Sequence, residues 1–136
     1  MMAYVLDSSS VLRYFDGEAG ADRVREILRA CVMGEARASI SAVQWGEIAG
    51  RLRVRLGAAG QSYSLGTILP SEVEIVPATG ERAVRAAELK VDHRIGYADA
   101  FALDLAMEAK DRVLVTADYG FKPVETLAQI EFLPAK

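Results

Sequence analysis

Short apolar runs alternate with apolar positions at helical spacing along this chain. Residues 3–6 form an apolar run of β-forming residues that stops at Asp7, and three serines follow it. Serine hydroxyls accept hydrogen bonds from the free amides of a first helical turn, so the serines are candidate caps. The pattern predicts a strand and then a short helix over residues 11–15 that ends near Gly17.

The next apolar positions recur every three or four residues. They are Ala21, Val24, Ile27, Leu28 and Cys31. This spacing predicts an amphipathic helix that ends at Gly34. A short strand is predicted over residues 37–40, and residues 41–44 have the form of a capping box at the start of the following helix.

Helical spacing continues behind that cap. The apolar positions are Trp45, Ile48, Ala49, Leu52 and Leu56. Glu47 lies outside this apolar set, and Gly57 ends the phase. Residues 61–69 predict a further short helix that Pro70 terminates.

Strands and helices continue to alternate in the second half of the chain. Residues 73–76 precede a proline and predict a third strand near the edge of the sheet. Thr79 is expected to cap a helix, and Gly96 separates it from an alanine-rich helix predicted over residues 97–109. The last two predicted strands cover residues 112–116 and 130–133.

This alternation predicts one α/β domain. We expect a three-layer α/β/α fold whose central, mostly parallel sheet has four or five strands. A length of 136 residues and a hydrophobic fraction of 51% suit a single core. There is no internal repeat, linker or low-complexity segment that would indicate a second domain.

Composition narrows the function classes. Charges interrupt every apolar run well before the roughly 20 residues needed to cross a bilayer, so no membrane role is expected. Cys31 is the sole cysteine and no leader-like segment is recognisable, which favours a reducing, cytoplasmic location. The net charge of −3 lacks the basic footprint of nucleic-acid binding. A bound cation is left out of that count, so the charge neither supports nor excludes such binding.

Four acidic residues carry the candidate chemistry. Asp7 and Asp118 follow predicted strands, where aspartate is often only a turn former or a cap. Asp99 has apolar neighbours on a predicted helix, and stabilisation of a helix start by about 0.3 to 1 kcal/mol explains its position but not those neighbours. Glu47 precedes Arg51 by four residues, as in an ordinary surface ion pair.

Together the four acids indicate one pocket, because functional groups of parallel sheets gather at the carboxyl ends of the strands. Several carboxylates within about 4 to 6 Å of each other cannot all stay ionised without compensation. Oxygen-only ligands favour Mg²⁺ or Mn²⁺ over zinc. His93 is the sole histidine and is expected at the surface, which argues against Ser-His-Asp and Cys-His mechanisms.

Four segments resemble the motifs of PIN domains. The first is an apolar strand that ends in Asp7 before small polar residues, and the second is a serine-started helix that carries Glu47. The third surrounds Asp99, and the fourth has Thr116 two residues before Asp118. The segments cover residues 2–12, 41–48, 97–106 and 113–121. Each is weak alone, but all four in register over nearly the whole chain are quite specific.

The length and the Ile-Val-Pro and Phe-Leu-Pro segments are similar to those of VapC-type toxins of toxin–antitoxin pairs. The resemblance implies an Mg²⁺-dependent endoribonuclease, with Mn²⁺ as a substitute. It also implies RNA as substrate, a homodimer and inhibition by a VapB-like antitoxin. Ser9 stands where many relatives carry asparagine, and the segment after Asp118 lacks an acid that is common there. Both departures leave the number of metal ions open.

The resemblance also implies roles for the acids. Asp7 and Asp99 would be the main metal ligands, and Asp118 would complete the site directly or through water. Glu47 would hold a second ion or orient the attacking water. The metal would lower the pKa of that water and stabilise charge on the phosphate during an in-line displacement.

Hydroxyl groups are the candidate supporting residues. Thr116 is placed to position Asp118 through a side-chain hydrogen bond. Ser8 or Ser9 is placed to brace Asp7 or to contact the substrate. A hydroxyl at a strand end is also commonly a simple cap.

Arg51 and Arg55 share one predicted helix face beside Glu47 and are the candidates for RNA contact. Cations at a solvated helix end explain them equally well.

Other classes fit the residues less well. A receiver-type signalling domain needs an acidic pair after its first strand and a lysine after a late strand, whereas serines follow Asp7 here. A haloacid-dehalogenase phosphatase needs a second aspartate where Ser9 stands. A PIN fold that acts mainly as a binding module, with little catalysis, remains an open alternative.

Overall fold

The computed structural model of the protein describes residues 1–68 and 73–136. Five strands alternate with helices along it. The strands are β1 (Met2–Leu6), β2 (Ala36–Ser41), β3 (Val73–Val76), β4 (Arg112–Thr116) and β5 (Gln129–Phe132). The α-helices are α1 (Ser8–Asp16), α2 (Ala21–Val32), α3 (Ala42–Ile68), α4 (Gly80–His93) and α5 (Tyr97–Met107). A 3-10 helix, Tyr119–Val124, precedes the last strand.

The strands form one sheet in the order β3-β2-β1-β4-β5, and every neighbouring pair is parallel. This confirms the predicted α/β class and gives the sheet five strands. β3 lies at one edge, as the proline after it predicted. Parallel strands need crossover connections, which place helices over the faces of the sheet.

Two apolar cores lie on opposite faces of the sheet. Tyr4 and Leu6 belong to the core that also contains buried residues of α1, α2 and α3. Val5, between them, belongs to the other core, with the buried residues of α4 and α5. Successive side chains of a strand point to opposite faces, so this division confirms the three-layer arrangement.

The start of α1 differs from the prediction. The helix begins at Ser8, because Asp7 caps it: the Asp7 Oδ1 atom accepts a hydrogen bond from the Ser10 N–H at 2.9 Å. The serines lie inside the first turn instead of preceding it. Gly17 ends the helix in a left-handed conformation with φ of 63°, as its position predicted.

Of the predictions about α3, one is wrong, one is confirmed and one lies outside the described residues. The Ser41 Oγ atom accepts the Val43 N–H at 3.2 Å, but the side chain of Gln44 does not return to the cap, so the predicted capping box is wrong. Gly57 interrupts the helix with φ of 72° and ψ of −175°, in agreement with the predicted break. The predicted helix end at Pro70 lies outside the described residues.

Smaller differences concern element ends in the last third of the chain. α5 ends at Met107, two residues before the predicted end, and β5 begins and ends one residue earlier than predicted. Within the part of the chain that the structure describes, no helix combines the length and apolar character that spanning a membrane requires.

Candidate active site

The carboxyl ends of β1 and β4 lie side by side at the centre of the sheet. Leu6 pairs with Val115 in the parallel register, so Asp7 follows beside Thr116. The Thr116 hydroxyl donates a hydrogen bond to the Asp7 Oδ2 atom at 2.5 Å. Strand pairing thus joins the first and fourth acidic segments, which lie more than a hundred residues apart in sequence.

Asp7 is the buried acid of the site, with 1% of its surface exposed. The Ser9 hydroxyl lies 2.8 Å from Oδ1 and 2.9 Å from Oδ2, and the Ser10 N–H also donates to Oδ1. Burial raises the pKa of Asp7, and the hydrogen bonds from Thr116, Ser10 and Ser9 oppose that rise. The cap interpretation of Asp7 is therefore correct.

Ser9 and Thr116 connect the buried acid to the loop after β4. The Ser9 Oγ atom accepts the Ala117 N–H at 2.9 Å, and the Thr116 Oγ1 atom accepts the Asp118 N–H at 2.9 Å. Thr116 therefore positions Asp118 through its backbone amide, not through its carboxylate. Of the two roles considered for Ser9, the structure shows the bracing of Asp7.

Asp118 and Glu47 are the exposed acids. The Asp118 Oδ1 atom accepts the Gly120 N–H at 2.8 Å and caps the 3-10 helix. The Ser8 Oγ atom lies 3.3 Å from the Glu47 Oε1 atom. Within the described residues Glu47 forms no ion pair with Arg51, so the surface-pair interpretation of Glu47 is wrong.

Asp99 lies in the first turn of α5 and is half-buried. Burial is the largest cause that raises the pKa of Asp99 to about 6, followed by the negative charges of Asp118, Asp7 and Glu47. Asp99 therefore lies near enough to each of the other three acids to interact with it electrostatically. The structure brings the predicted acids together around Asp99.

The charge of this set lacks a basic partner. In the described part of the chain no lysine or arginine forms an ion pair with any of the four acids. Elsewhere the protein pairs its buried carboxylates: Asp104 lies 2.7 Å from the Arg85 Nε atom and 3.1 Å from the Arg82 Nη1 atom. The unpaired charge and the oxygen-only donors fit a hard divalent cation.

No closed ligand set is formed in advance, however. Among residues 1–68 and 73–136 no three His, Cys, Asp or Glu side chains are grouped so as to hold a metal ion. Mg²⁺ usually keeps several waters and is bound by one or two carboxylates together with substrate phosphates. The residues present fit such an open site and not a cage made by the protein alone.

Gln44 is the site residue that the sequence did not reveal. It is fully buried at the start of α3. Its Oε1 atom accepts the Ser8 N–H at 2.6 Å, and its Nε2 atom donates to the Ala98 carbonyl at 2.7 Å. Its spacing from Ile48 and Leu52 places it on the buried stripe of α3, and a polar residue on such a stripe requires partners. That spacing was the available indication.

An open groove of about 500 Å³ is lined by three of the four acids, and the buried Asp7 does not line it. We call it the acidic groove. Among the residues that line it are Ser8, Ser9, Glu47, Asp99, Asp118, Arg13, Arg51, Arg55 and Lys136. His93, the half-buried last residue of α4, does not line it.

The two arginines considered for RNA contact differ in their surroundings. Arg55 is held by Asp16 through two contacts, one of them 2.6 Å between Nη2 and Oδ2. Arg51 lines the acidic groove, is exposed and has no ion-pair or hydrogen-bond partner in the described residues. Arg51 is therefore the better placed of the two for a ligand phosphate.

Comparisons with known proteins identify the family and the fold. The family model for the PIN domain matches residues 4–127. No curated protein matches the chain significantly. A VapBC complex of Rickettsia felis, bound to a DNA fragment from its promoter, has a TM-score of 0.73 at 18% identity and covers 98% of this chain and 100% of that one.

Two further solved structures have the same fold. A VapC toxin of Mycobacterium tuberculosis that cleaves the sarcin-ricin loop has a TM-score of 0.73 at 17% identity, over 96% of this chain and 99% of that one. DNA-bound VapBC from Salmonella typhimurium has a TM-score of 0.67 at 16% identity, over 97% and 98%. At these identities the likeness establishes the fold.

Replacing Asp99 by asparagine removes a charge that the metal-free fold disfavours. The folded pKa of about 6 exceeds the ordinary 3.8, so the folded state holds the proton more tightly and stability falls as pH rises through that interval. We expect Asp99→Asn to increase the free energy of unfolding by about 1 kcal/mol at pH 7.5 in EDTA, after allowance for solvent screening.

Urea denaturation at pH 7.5 and near pH 4 measures this effect. The stabilisation should shrink to a small fraction near pH 4, where Asp99 of the wild-type fold is already protonated. Asp111→Asn, which changes an exposed aspartate just before β4, is the matched control and should have no such pH dependence. An equal effect of Asp99→Asn at both pH values would show that the carboxylate is not destabilised by its surroundings.

Proposed function

We propose, from the premise that this chain belongs to the PIN domain family, that it is a metal-dependent endoribonuclease that hydrolyses phosphodiester bonds in RNA. The family is of nuclease type and generally depends on divalent metal ions. The observation that carries the proposal is a groove lined by Glu47, Asp99 and Asp118, with the buried Asp7 near enough to act on Asp99. None of the four acids has an ion pair to a lysine or arginine among the described residues.

The acids have distinct roles in this proposal. Asp7, Asp99 and Asp118 would hold Mg²⁺, or Mn²⁺ in its place. Glu47 would hold a second ion or orient the attacking water. When bound, a divalent ion supplies positive charge for the phosphate in an in-line displacement and makes water a better nucleophile.

Hydrogen bonds from neighbouring residues hold two of these acids in place. Thr116 and Ser9 donate to Asp7 and fix the orientation of its buried carboxylate. Glu47 is exposed, with the Ser8 hydroxyl as its hydrogen-bond partner at 3.3 Å, which is a long contact. A carboxylate held this loosely remains able to accept a proton from water.

RNA is the substrate that the groove and the family favour together. The acidic groove is open, so an extended strand can enter it from the side. Arg51 would contact a phosphate next to the scissile bond, since its guanidinium has no other partner in the described residues. Arg55 would support the groove wall through Asp16.

The solved structures with this fold include VapBC toxin–antitoxin complexes. We therefore propose that the chain is the toxin of a type II toxin–antitoxin pair, a homodimer in the cytoplasm that a VapB-like antitoxin inhibits. Growth arrest on expression of the chain, relieved by the product of the neighbouring gene, would support this proposal.

The second candidate is a catalytically weak PIN-fold binding module. Absence of RNA cleavage in Mn²⁺ would favour the binding module over the nuclease. A receiver-type domain is set aside, because the matching family model is that of the PIN domain and the strand order is β3-β2-β1-β4-β5. Flavodoxin-like signalling folds have the order 2-1-3-4-5.

Loss of one acid tests the nuclease directly. We expect Asp7→Asn and Asp99→Asn each to lower the rate of RNA cleavage in Mg²⁺ by about 100-fold or more, because each removes charge that holds the ion. Cleavage of end-labelled RNA by purified protein free of any antitoxin gives the rate. Asp111→Asn should cleave at the wild-type rate, and undiminished activity of both site variants would remove the proposal.

Exchange of one arginine tests the RNA contact. We expect Arg51→Gln to raise KM for RNA about 3- to 10-fold with little change in kcat, and to reduce the salt dependence of binding by about one phosphate contact. Arg53→Gln is the matched control, since Arg53 is exposed on the same helix but does not line the acidic groove. Equal effects of the two substitutions would show only a general loss of positive charge.

A further inference from the structure

We propose that Gln44 is a positioning residue of the site, whose buried amide fixes the start of α1 against the start of α5 and so sets the spacing between Asp7 and Asp99. This inference rests on the proposed nuclease function, since it concerns the same acids. It adds a residue that lies outside the four acidic positions and does not line the acidic groove.

The two partners of Gln44 need opposite hydrogen-bonding groups. The Ser8 N–H, which donates to Oε1 at 2.6 Å, belongs to the first residue of α1 and has no partner within its own helix. The Ala98 carbonyl accepts from Nε2 at 2.7 Å. A primary amide of this length offers an acceptor and a donor together, whereas an ionised glutamate offers only acceptors and a methionine offers no donor.

Each partner is the chain neighbour of a proposed metal-binding residue. Ser8 follows Asp7 and Ala98 precedes Asp99 along the chain. The two hydrogen bonds cross 36 and 54 positions of sequence. A shift of either helix start would therefore move one acid relative to the other.

Burial holds the two hydrogen bonds of the Gln44 amide in place. Gln44 has no exposed surface, and a buried amide cannot exchange its partners for water. In metal sites, groups that orient the ligands commonly change metal affinity 10- to 100-fold when they are removed. We therefore expect the loss of the Gln44 amide to act on metal affinity and kcat more than on RNA binding.

The test uses the whole chain, with Mn²⁺ alone as the probe. Calorimetry should show that Gln44→Met binds Mn²⁺ about 10-fold or more weakly than the wild type at a temperature where both are folded. In the cleavage assay at fixed Mn²⁺, kcat should fall about 10-fold while KM for RNA stays within about twofold.

Gln61→Met is the matched control. Gln61 also lies on α3 and donates to a backbone carbonyl, that of Ala49, at 2.9 Å. Like Gln44 it does not line the acidic groove, but Ala49 is not the chain neighbour of any of the four acids. It should change thermal stability without changing Mn²⁺ affinity or kcat. A purely structural role for Gln44 predicts that both variants behave in this way, which would overturn the proposal.

A second variant covers a failure to fold. Gln44→Asn keeps a polar amide in the same cavity but is one methylene shorter, so it cannot reach Ser8 and Ala98 together. Weakened Mn²⁺ binding by folded Gln44→Asn supports the proposal, and wild-type affinity overturns it. A wild-type chain that binds no Mn²⁺ and cleaves no RNA would refute the nuclease function itself, whereas unchanged Gln44 variants of an active enzyme would refute only the positioning role.

Discussion

The parallel pairing of β1 with β4 is the constraint on which the site depends, because it places Asp7 beside Thr116 at the carboxyl edge of the sheet. A carboxylate buried to this degree is costly unless hydrogen bonds replace its water. Two hydroxyls and the backbone amide of Ser10 supply those bonds. The buried acid is thus tolerated in the fold, and Asp99 lies near enough to interact with it electrostatically.

The distribution of charge separates this site from the rest of the protein. Away from the sheet edge, Asp104 and Glu108 share a cluster of arginines. In the wall of the acidic groove, Asp16 is paired with Arg55. At the sheet edge burial, and after it the charges of the other three acids, raise the pKa of Asp99. Such unrelieved repulsion costs stability in the metal-free protein, and perturbed groups of this kind gather at functional sites. A cation that arrives with the substrate would relieve it.

The fold class could be predicted from the sequence, and so could the proximity of Asp99 to the other three acids, because the strands before Asp7 and Asp118 are short apolar runs and the helices keep a clear apolar phase. Residues with the same local chemistry could not be distinguished from the sequence. Serine and aspartate both cap helices, and the structure shows that Asp7, not a serine, caps α1. Gln44 fits a capping box in sequence, but its partners lie 36 and 54 positions away and only the folded chain brings them near. The pairing of Arg55 with Asp16 was hidden for the same reason.

The location of a bound ion tests the central claim most directly. In crystals of the protein grown or soaked with Mn²⁺, we predict an anomalous scattering peak at carboxylate oxygens of Asp99 and of Asp7 or Asp118, with water at the remaining coordination positions. A Mn²⁺ ion bound only elsewhere, with these carboxylates left without a ligand, would contradict the assignment of the acidic groove as a metal-dependent nuclease site.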